Sequence, residues 1–201
     1  AARVGLQEAD PGSLRSGFTN QTHYLAQRAG FQYWSHQPNR NVARVAGSAN
    51  GLLSRLEPVK VAMHPLPGRI AGRGVLLAHF GSGEEGLVVA VAHLSLGNGS
   101  RRQQLGYIAE LLAPHPHAVL MGDFNCVPTV PEMDLLYERT HLRPPSFCVP
   151  TFPSWKPARA IDHILVTDQL AHANARAVPA AFSDHLALAL DIDVPAQALR
   201  Q

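Results

Sequence analysis

The chain carries several carboxylates and imidazoles at the ends of apolar stretches, and their types and spacing suit acid–base and cation-binding chemistry. The run Ala118-Val119-Leu120-Met121-Gly122-Asp123-Phe124-Asn125 reads as a strand that finishes with a carboxylate and a carboxamide. Side chains alternate along an extended segment, so Asp123 and Asn125 project to one side and Phe124 to the other. The same Asp-x-Asn pattern also opens turns. Gly122 has no side chain, so a bulky anionic ligand could approach the backbone there. Asp162 sits inside Ile161-Asp162-His163-Ile164-Leu165, where an acid is costly to bury unless something pairs with it. His185 is the natural partner: a carboxylate bonded to one imidazole nitrogen fixes the tautomer and leaves the other nitrogen as a base. Glu8 and His93 close two further apolar stretches, and Asp184 stands beside His185.

Positioning these groups is a task for strands. Alternation and Pro/Gly breaks predict strands over 4–8, 31–34, 52–55, 59–63, 74–80, 87–94, 118–125, 161–167 and 185–192. Two helices are expected. One follows Asn20, carries Tyr24, Leu25 and Ala29 on one face and stops at Gly30; the other runs over 101–112 with Leu105, Ile108, Leu111 and Leu112 inward. The Pro-rich stretch 127–157 reads as loop. Many strands, few helices and no internal repeat predict sheet packed on sheet with helices outside, in one domain over 1–201.

Apolar residues make up 46% and charged residues 16%, which fits a folded globular chain and excludes a disordered one. No apolar run is long enough for a membrane-spanning helix. A formal net charge of +2 is too small to argue for nucleic acid by bulk electrostatics, although local basic patches are open to it; Arg101 and Arg102, opening a helix near His93, read first as solvated charges, with phosphate contact as the sharper alternative. Two cysteines, Cys126 and Cys148, imply no disulfide framework and leave both their pairing and the compartment, cytoplasmic or secreted, open. Gly81-Ser82-Gly83-Glu84-Glu85-Gly86 has the spacing of a dinucleotide fingerprint, but strands flank it on both sides, so a hairpin turn is expected. Ser183, Asp184 and His185 are adjacent and cannot form a serine-hydrolase triad. No His-Glu-x-x-His zinc motif occurs; His64, His115, His117 and His172 read as surface residues, and His79 and His163 as structural ones.

Taken in order, Leu6-Gln7-Glu8, His93-Leu94, Gly122-Asp123-Phe124-Asn125, Ile161-Asp162-His163-Ile164 and Ser183-Asp184-His185 resemble the motif set of the endonuclease/exonuclease/phosphatase family, which includes pancreatic deoxyribonuclease. The stretch Ser48-Ala49-Asn50-Gly51-Leu52-Leu53-Ser54-Arg55 resembles that family's entry to a central strand, and Phe152-Pro153-Ser154-Trp155 a loop of some bacterial members. The resemblance implies a four-layer α/β sandwich of two facing mixed β-sheets flanked by helices. It also implies an Asn-bearing strand ahead of Glu8 that this sequence does not supply, and hence a truncated sheet with weaker metal binding and lower stability.

Carried over by position, the resemblance makes Glu8 a ligand of the divalent metal, with Asp184 contributing directly or through water. Asp123 would orient the attacking water or assist the metal, and Asn125 would hold that water or a phosphate oxygen. His185, steadied by Asp162, would take the proton, and His93 would neutralise a non-bridging oxygen or protonate the leaving one. The implied cofactor is Mg²⁺, with Mn²⁺ as its substitute. The implied activity is hydrolysis of phosphodiesters, nucleic acid among them, by a monomer. Phospholipid and inositol-phosphate hydrolysis, and a non-catalytic binding role, are the alternatives. Substrate choice would fall to loops 10–19, 39–49, 97–103 and 127–157.

Overall fold

The computed structural model describes residues 2–42, 46–69, 71–179 and 183–200; the middle of the 39–49 loop, residues 43–45, lies outside them. Among the described residues, eleven strands form three sheets. Arg3–Ala9 (β1), Tyr33–Val42 (β2) and Ala46–Ser54 (β3) make one sheet in the order β1-β3-β2. Lys60–Pro65 (β4), Gly74–Phe80 (β5), Leu87–His93 (β6), Ala118–Asp123 (β7), Leu142–Arg143 (β8) and Asp162–Thr167 (β9) make a six-stranded mixed sheet, β4-β5-β6-β7-β9-β8. His172–Val178 (β10) and Ala187–Ile192 (β11) pair as a hairpin. The helices are Gln21–Ala29 (α1), Asn98–Leu112 (α2) and Pro131–Arg139 (α3).

The central strands β5, β6 and β7 of the six-stranded sheet are buried on both faces, as their unbroken apolar runs require. Every residue of β6 is buried, and alternation sorts them. Val88, Ala90 and Ala92 join Leu105, Ile108, Ala109 and Leu112 of α2 and Met133 and Leu136 of α3. Leu87, Val89 and Val91 turn the other way, onto a second core with Leu52 of β3 and the half-buried Leu190 and Ile192 of β11. Helix α1 covers the outer side of β3, where Thr22 lies against Gly51. The result is a four-layer sandwich: α1, the two smaller sheets, the six-stranded sheet, then α2 and α3. Each buried aliphatic side chain in these two cores stabilises the fold by about 1.5–3 kcal/mol.

Alternation also aims the chemistry. Val119 and Met121 of β7 and Ile164 and Val166 of β9 belong to the core between the sheets, so Asp123 and Asp162, at the same parity, point into that space at its end. His93 follows Val89 and Val91 to the same side, and His163 goes to the helix side with Phe124.

Several expectations need correction. The 127–157 stretch contains α3: Pro131 opens the helix, Glu132 and Asp134 fill its first turn and Arg139 its last. β10 is a strand that sequence alternation hid, because its side chains are mostly exposed. The buried face of α1 is Thr22 and Ala26, while Tyr24 and Leu25 face solvent. His117 is buried with Nδ1 2.8 Å from the Glu85 carbonyl, and His64 bonds the Tyr107 hydroxyl at 3.1 Å. Gly122 does not leave room for a ligand: a Cβ there would stand 1.8 Å from the carbonyl oxygen of Ala92, its register partner on β6. Both cysteines are unpaired, Cys126 buried and Cys148 exposed.

Candidate active site

Register brings the expected residues together. β6 and β7 run parallel with His93 opposite Asp123, and β9 runs antiparallel to β7 with Asp162 opposite Asp123. Two carboxylates and an imidazole therefore share one end of three adjacent strands, a place that only strand pairing could specify. β1 delivers Glu8 from the facing sheet, where a bulge interrupts the pairing with β3 and Glu8 takes a φ of 56°. That left-handed conformation is costly for a glutamate, and such strain clusters at functional sites. Asp10 holds the turn beyond it, accepting bonds from the N–H groups of Gly12 (2.9 Å) and Ser13 (2.7 Å) and from the Ser13 hydroxyl.

His185 Nδ1 lies 2.8 Å from Asp162 Oδ2, which also accepts the Thr151 hydroxyl at 2.5 Å. With Nδ1–H donating to the carboxylate, Nε2 keeps its lone pair. The ring packs against Phe152, 4.8 Å between centroids. Burial works against the charged imidazolium, but the bond to Asp162 and the charges of Asp162, Asp123 and Asp184 outweigh it, so the His185 pKa lies above its usual 6.5. Asp184 reaches the pocket by its charge, and its carbonyl accepts the Ser154 N–H at 2.7 Å.

Across the pocket, His93 sits between two acids, Nε2 3.4 Å from Asp123 Oδ2 and Nδ1 3.9 Å from Glu8 Oε1. Burial first, then the positive charges of Arg73 and His185, push its pKa down to about 3. At that value His93 is neutral near neutral pH. Asp123 moves the other way, to about 6: burial and the neighbouring Asp162 raise it more than the Asn125 N–H bond (2.8 Å) and the charges of His185 and Arg73 lower it. Asn125, at φ 54°, donates its amide to the Leu94 carbonyl at 2.9 Å.

Asp123, Asp162 and His185 each offer a ligand atom within 4.8 Å of the others. Two carboxylates this close, one of them with a raised pKa, suit a hard divalent cation. Among the described residues this is the tightest donor group, and Glu8 and Asp184 flank it without belonging to it.

Sequence reasoning missed three contributors. Thr151 and Arg73 lie in loops without a motif, and Arg101 is not the solvated or phosphate-binding arginine expected. It is buried, donates to Glu132 Oε1 through Nε (3.0 Å) and Nη2 (2.5 Å), and reaches the carbonyls of Ser95 (3.4 Å), Leu96 and Asn125 (3.4 Å) through Nη1. It thus ties the loop after His93 to the loop after Asp123. Arg101→Met should lower unfolding free energy by about 3–5 kcal/mol, because Glu132 is left buried and unpaired. Urea denaturation measures this, and adding Glu132→Gln should recover part of the loss.

A model of the Endonuclease/Exonuclease/phosphatase family matches residues 4–185. Among solved structures, an endonuclease/exonuclease/phosphatase from Beutenbergia cavernae superposes with a TM-score of 0.77 at 21% identity, over 96% of this chain and 62% of that one. A mannosyl-6-phosphatase of Bacteroides thetaiotaomicron gives 0.73 at 16%, over 95% and 85%. D. rerio TDP2 in complex with a single-strand DNA product gives 0.70 at 16%, again over 95% and 85%. No curated protein matches. At these identities the structural likeness speaks for the fold alone.

Proposed function

This chain belongs to the endonuclease/exonuclease/phosphatase family of phosphoesterases, and from that premise we propose that it hydrolyses phosphodiester bonds with a divalent metal and a water activated by His185. The observation that carries the reading is the 2.8 Å contact between His185 and Asp162, set beside Asp123 on paired strands. Nε2 of His185 accepts the water's proton while Asp162 stabilises the imidazolium that forms. Thr151 holds the Asp162 carboxylate, so the dyad is oriented before substrate arrives. Asp123 and Asn125 position the water, neutral His93 donates a hydrogen bond to a phosphoryl oxygen, and Arg73 adds positive charge to the anionic ester. Glu8 and Asp184, at the flanks of the Asp123, Asp162 and His185 group, would join Asp123 in holding the metal, Mg²⁺ with Mn²⁺ as substitute, while Asp162 and His185 stay paired with each other. When bound, the ion supplies charge stabilisation at the phosphoryl oxygens.

A chromogenic bis-aryl phosphate tests this. Turnover is expected with Mg²⁺ or Mn²⁺, lost with EDTA and restored by excess metal. Turnover indifferent to chelator, or none with any divalent ion, would overturn the proposal.

The pH profile follows from two raised pKa values. His185 must be neutral to act as base, and Asp123 must be ionised to hold water or metal. Both groups bind protons more tightly than their isolated counterparts, so activity is lost as pH falls through their pKa values. At subsaturating metal, activity should therefore climb from acid toward a plateau above the ordinary histidine range, with a slope steeper than one proton on the acid limb, because protons compete with the metal for Asp123 as well as silencing His185. A flat profile between pH 5 and 8 (roughly the range of an unperturbed histidine) contradicts the dyad.

A further inference from the structure

We propose that the mouth of this pocket is an interfacial surface that seats on the boundary between water and a lipid layer and admits phosphodiester headgroups. The proposal deepens the phosphodiesterase reading and rests on it. Among the described residues, the most exposed large apolar side chains are Phe147 (80%), Leu96 (78%), Trp155 (76%), Phe18 (68%) and Leu14 (59%), and every other one is at 49% or below. All five stand on segments that leave or enter the catalytic strand ends. Leu14 and Phe18 occupy the loop after Glu8, which closes where Gln21 N–H meets the Asp10 carbonyl at 2.9 Å. Leu96 follows His93. Trp155 lies between Thr151 and Asp162. β8 runs antiparallel to β9, so the chain beyond it travels toward Asp162, and Phe147 lines a small cavity that also reaches Asp162 and His163.

Hydrogen bonds hold the backbone beneath Leu96, Trp155 and Phe18. Arg101 holds the Leu96 carbonyl. The Trp155 turn is closed by Lys156 N–H to Pro153 O and Ala158 N–H to Phe152 O, both 3.0 Å, and tied to the Asp184 carbonyl through Ser154. Phe18 N–H donates to Ser13 O at 2.8 Å. Exposed apolar side chains on loops that adjoin the same strand ends mark an interaction surface.

Charge and side-chain type select the partner. Segments 66–73, 94–103 and 140–161 contain no Asp or Glu and, besides the buried Arg101, carry Arg69, Arg73, Arg102, Arg143, Lys156 and Arg159. Basic residues flanking Trp, Phe and Leu complement an anionic lipid surface, with rings and aliphatic tips entering the headgroup boundary. Single-stranded nucleic acid would also favour cations and rings, but stacking gives no use to Leu14 and Leu96, and the formal net charge is only +2.

The chain has two tryptophans, Trp34 and Trp155, so a Trp34→Phe variant makes Trp155 the reporter. With phosphatidylcholine vesicles containing phosphatidylserine, its emission should shift to the blue and become shielded from acrylamide. Vesicle co-sedimentation of the otherwise native chain should weaken roughly tenfold on Leu96→Ser and again on Trp155→Ser, while turnover of the small soluble diester stays unchanged. Failure of the diesterase reading would instead abolish soluble turnover and leave vesicle binding intact. No shift and no sedimentation, or a response to a single-stranded oligonucleotide alone, overturns the interfacial proposal.

Discussion

His185→Ala should lower metal-dependent turnover by roughly 10²–10⁴-fold, the span attributable to a positioned general base. The ring is half-buried and contacts Phe152 and Asp162 without filling either core, so thermal stability should change little and the loss will be one of kcat. Asp162 keeps its bond from Thr151 in the variant, and the pocket's carboxylates remain in register. Two further readouts separate base loss from local damage. The steep acid limb should flatten, since one of its two groups is gone, and added imidazole should restore part of the rate. Asp162→Asn should also be strongly impaired, because an amide no longer demands a proton on Nδ1 and the wrong ring nitrogen becomes the acceptor. A His185→Ala enzyme that turns over like its parent would remove His185 from the mechanism.

Gly122→Ala should be the most destabilising single methyl in the molecule, at more than about 4 kcal/mol or outright failure to fold. The added Cβ would stand 1.8 Å from the Ala92 carbonyl oxygen and 2.9 Å from its carbon, and Gly122 has φ 146°, where L side chains are strained. Neither obstacle can move cheaply: Ala92 lies in β6, buried on both faces, and its neighbour His93 is part of the pocket. Gly99 is the control. It lies in the first turn of α2, and a methyl added there would meet nothing within 4 Å, so Gly99→Ala should be neutral or stabilise by about 0.5–1 kcal/mol. Denaturant titration of both variants measures the contrast. Equal stability would mean that β6 and β7 do not approach as closely as their register indicates.

Much of the fold was legible because its signals are local. β5 falls where its apolar run and breakers put it, β7 starts at Ala118 as read but ends at Asp123 because Asn125 turns to φ 54°, and α1 lies between the caps Asn20 and Gly30: Asn20 accepts the His23 N–H at 3.1 Å, and Gly30 adopts φ 68°. Misreadings arose where local and global demands differ. Prolines around α3 hid a helix whose first proline is its start signal. In α1 the larger apolar residues Tyr24 and Leu25 share a face, yet the buried side chains are Thr22 and Ala26, because only small ones fit against Gly51.

For the site, sequence determined which groups could do the chemistry. Asp162 in an apolar run needs a partner whatever the fold, and His185 is of the type that can serve. Tertiary structure decided everything that depends on neighbours distant in the chain: that Asp123 faces both His93 and Asp162, that burial strips His93 of its charge, and that Thr151 rather than solvent steadies the dyad. Arg101 shows the limit most clearly. An arginine in a helix's first turn is the same letter whether it greets a phosphate or a buried glutamate, and only the packing of α2 against α3 chooses Glu132. Desolvation and register are properties of the assembled molecule, because each needs two segments in place before its energy exists.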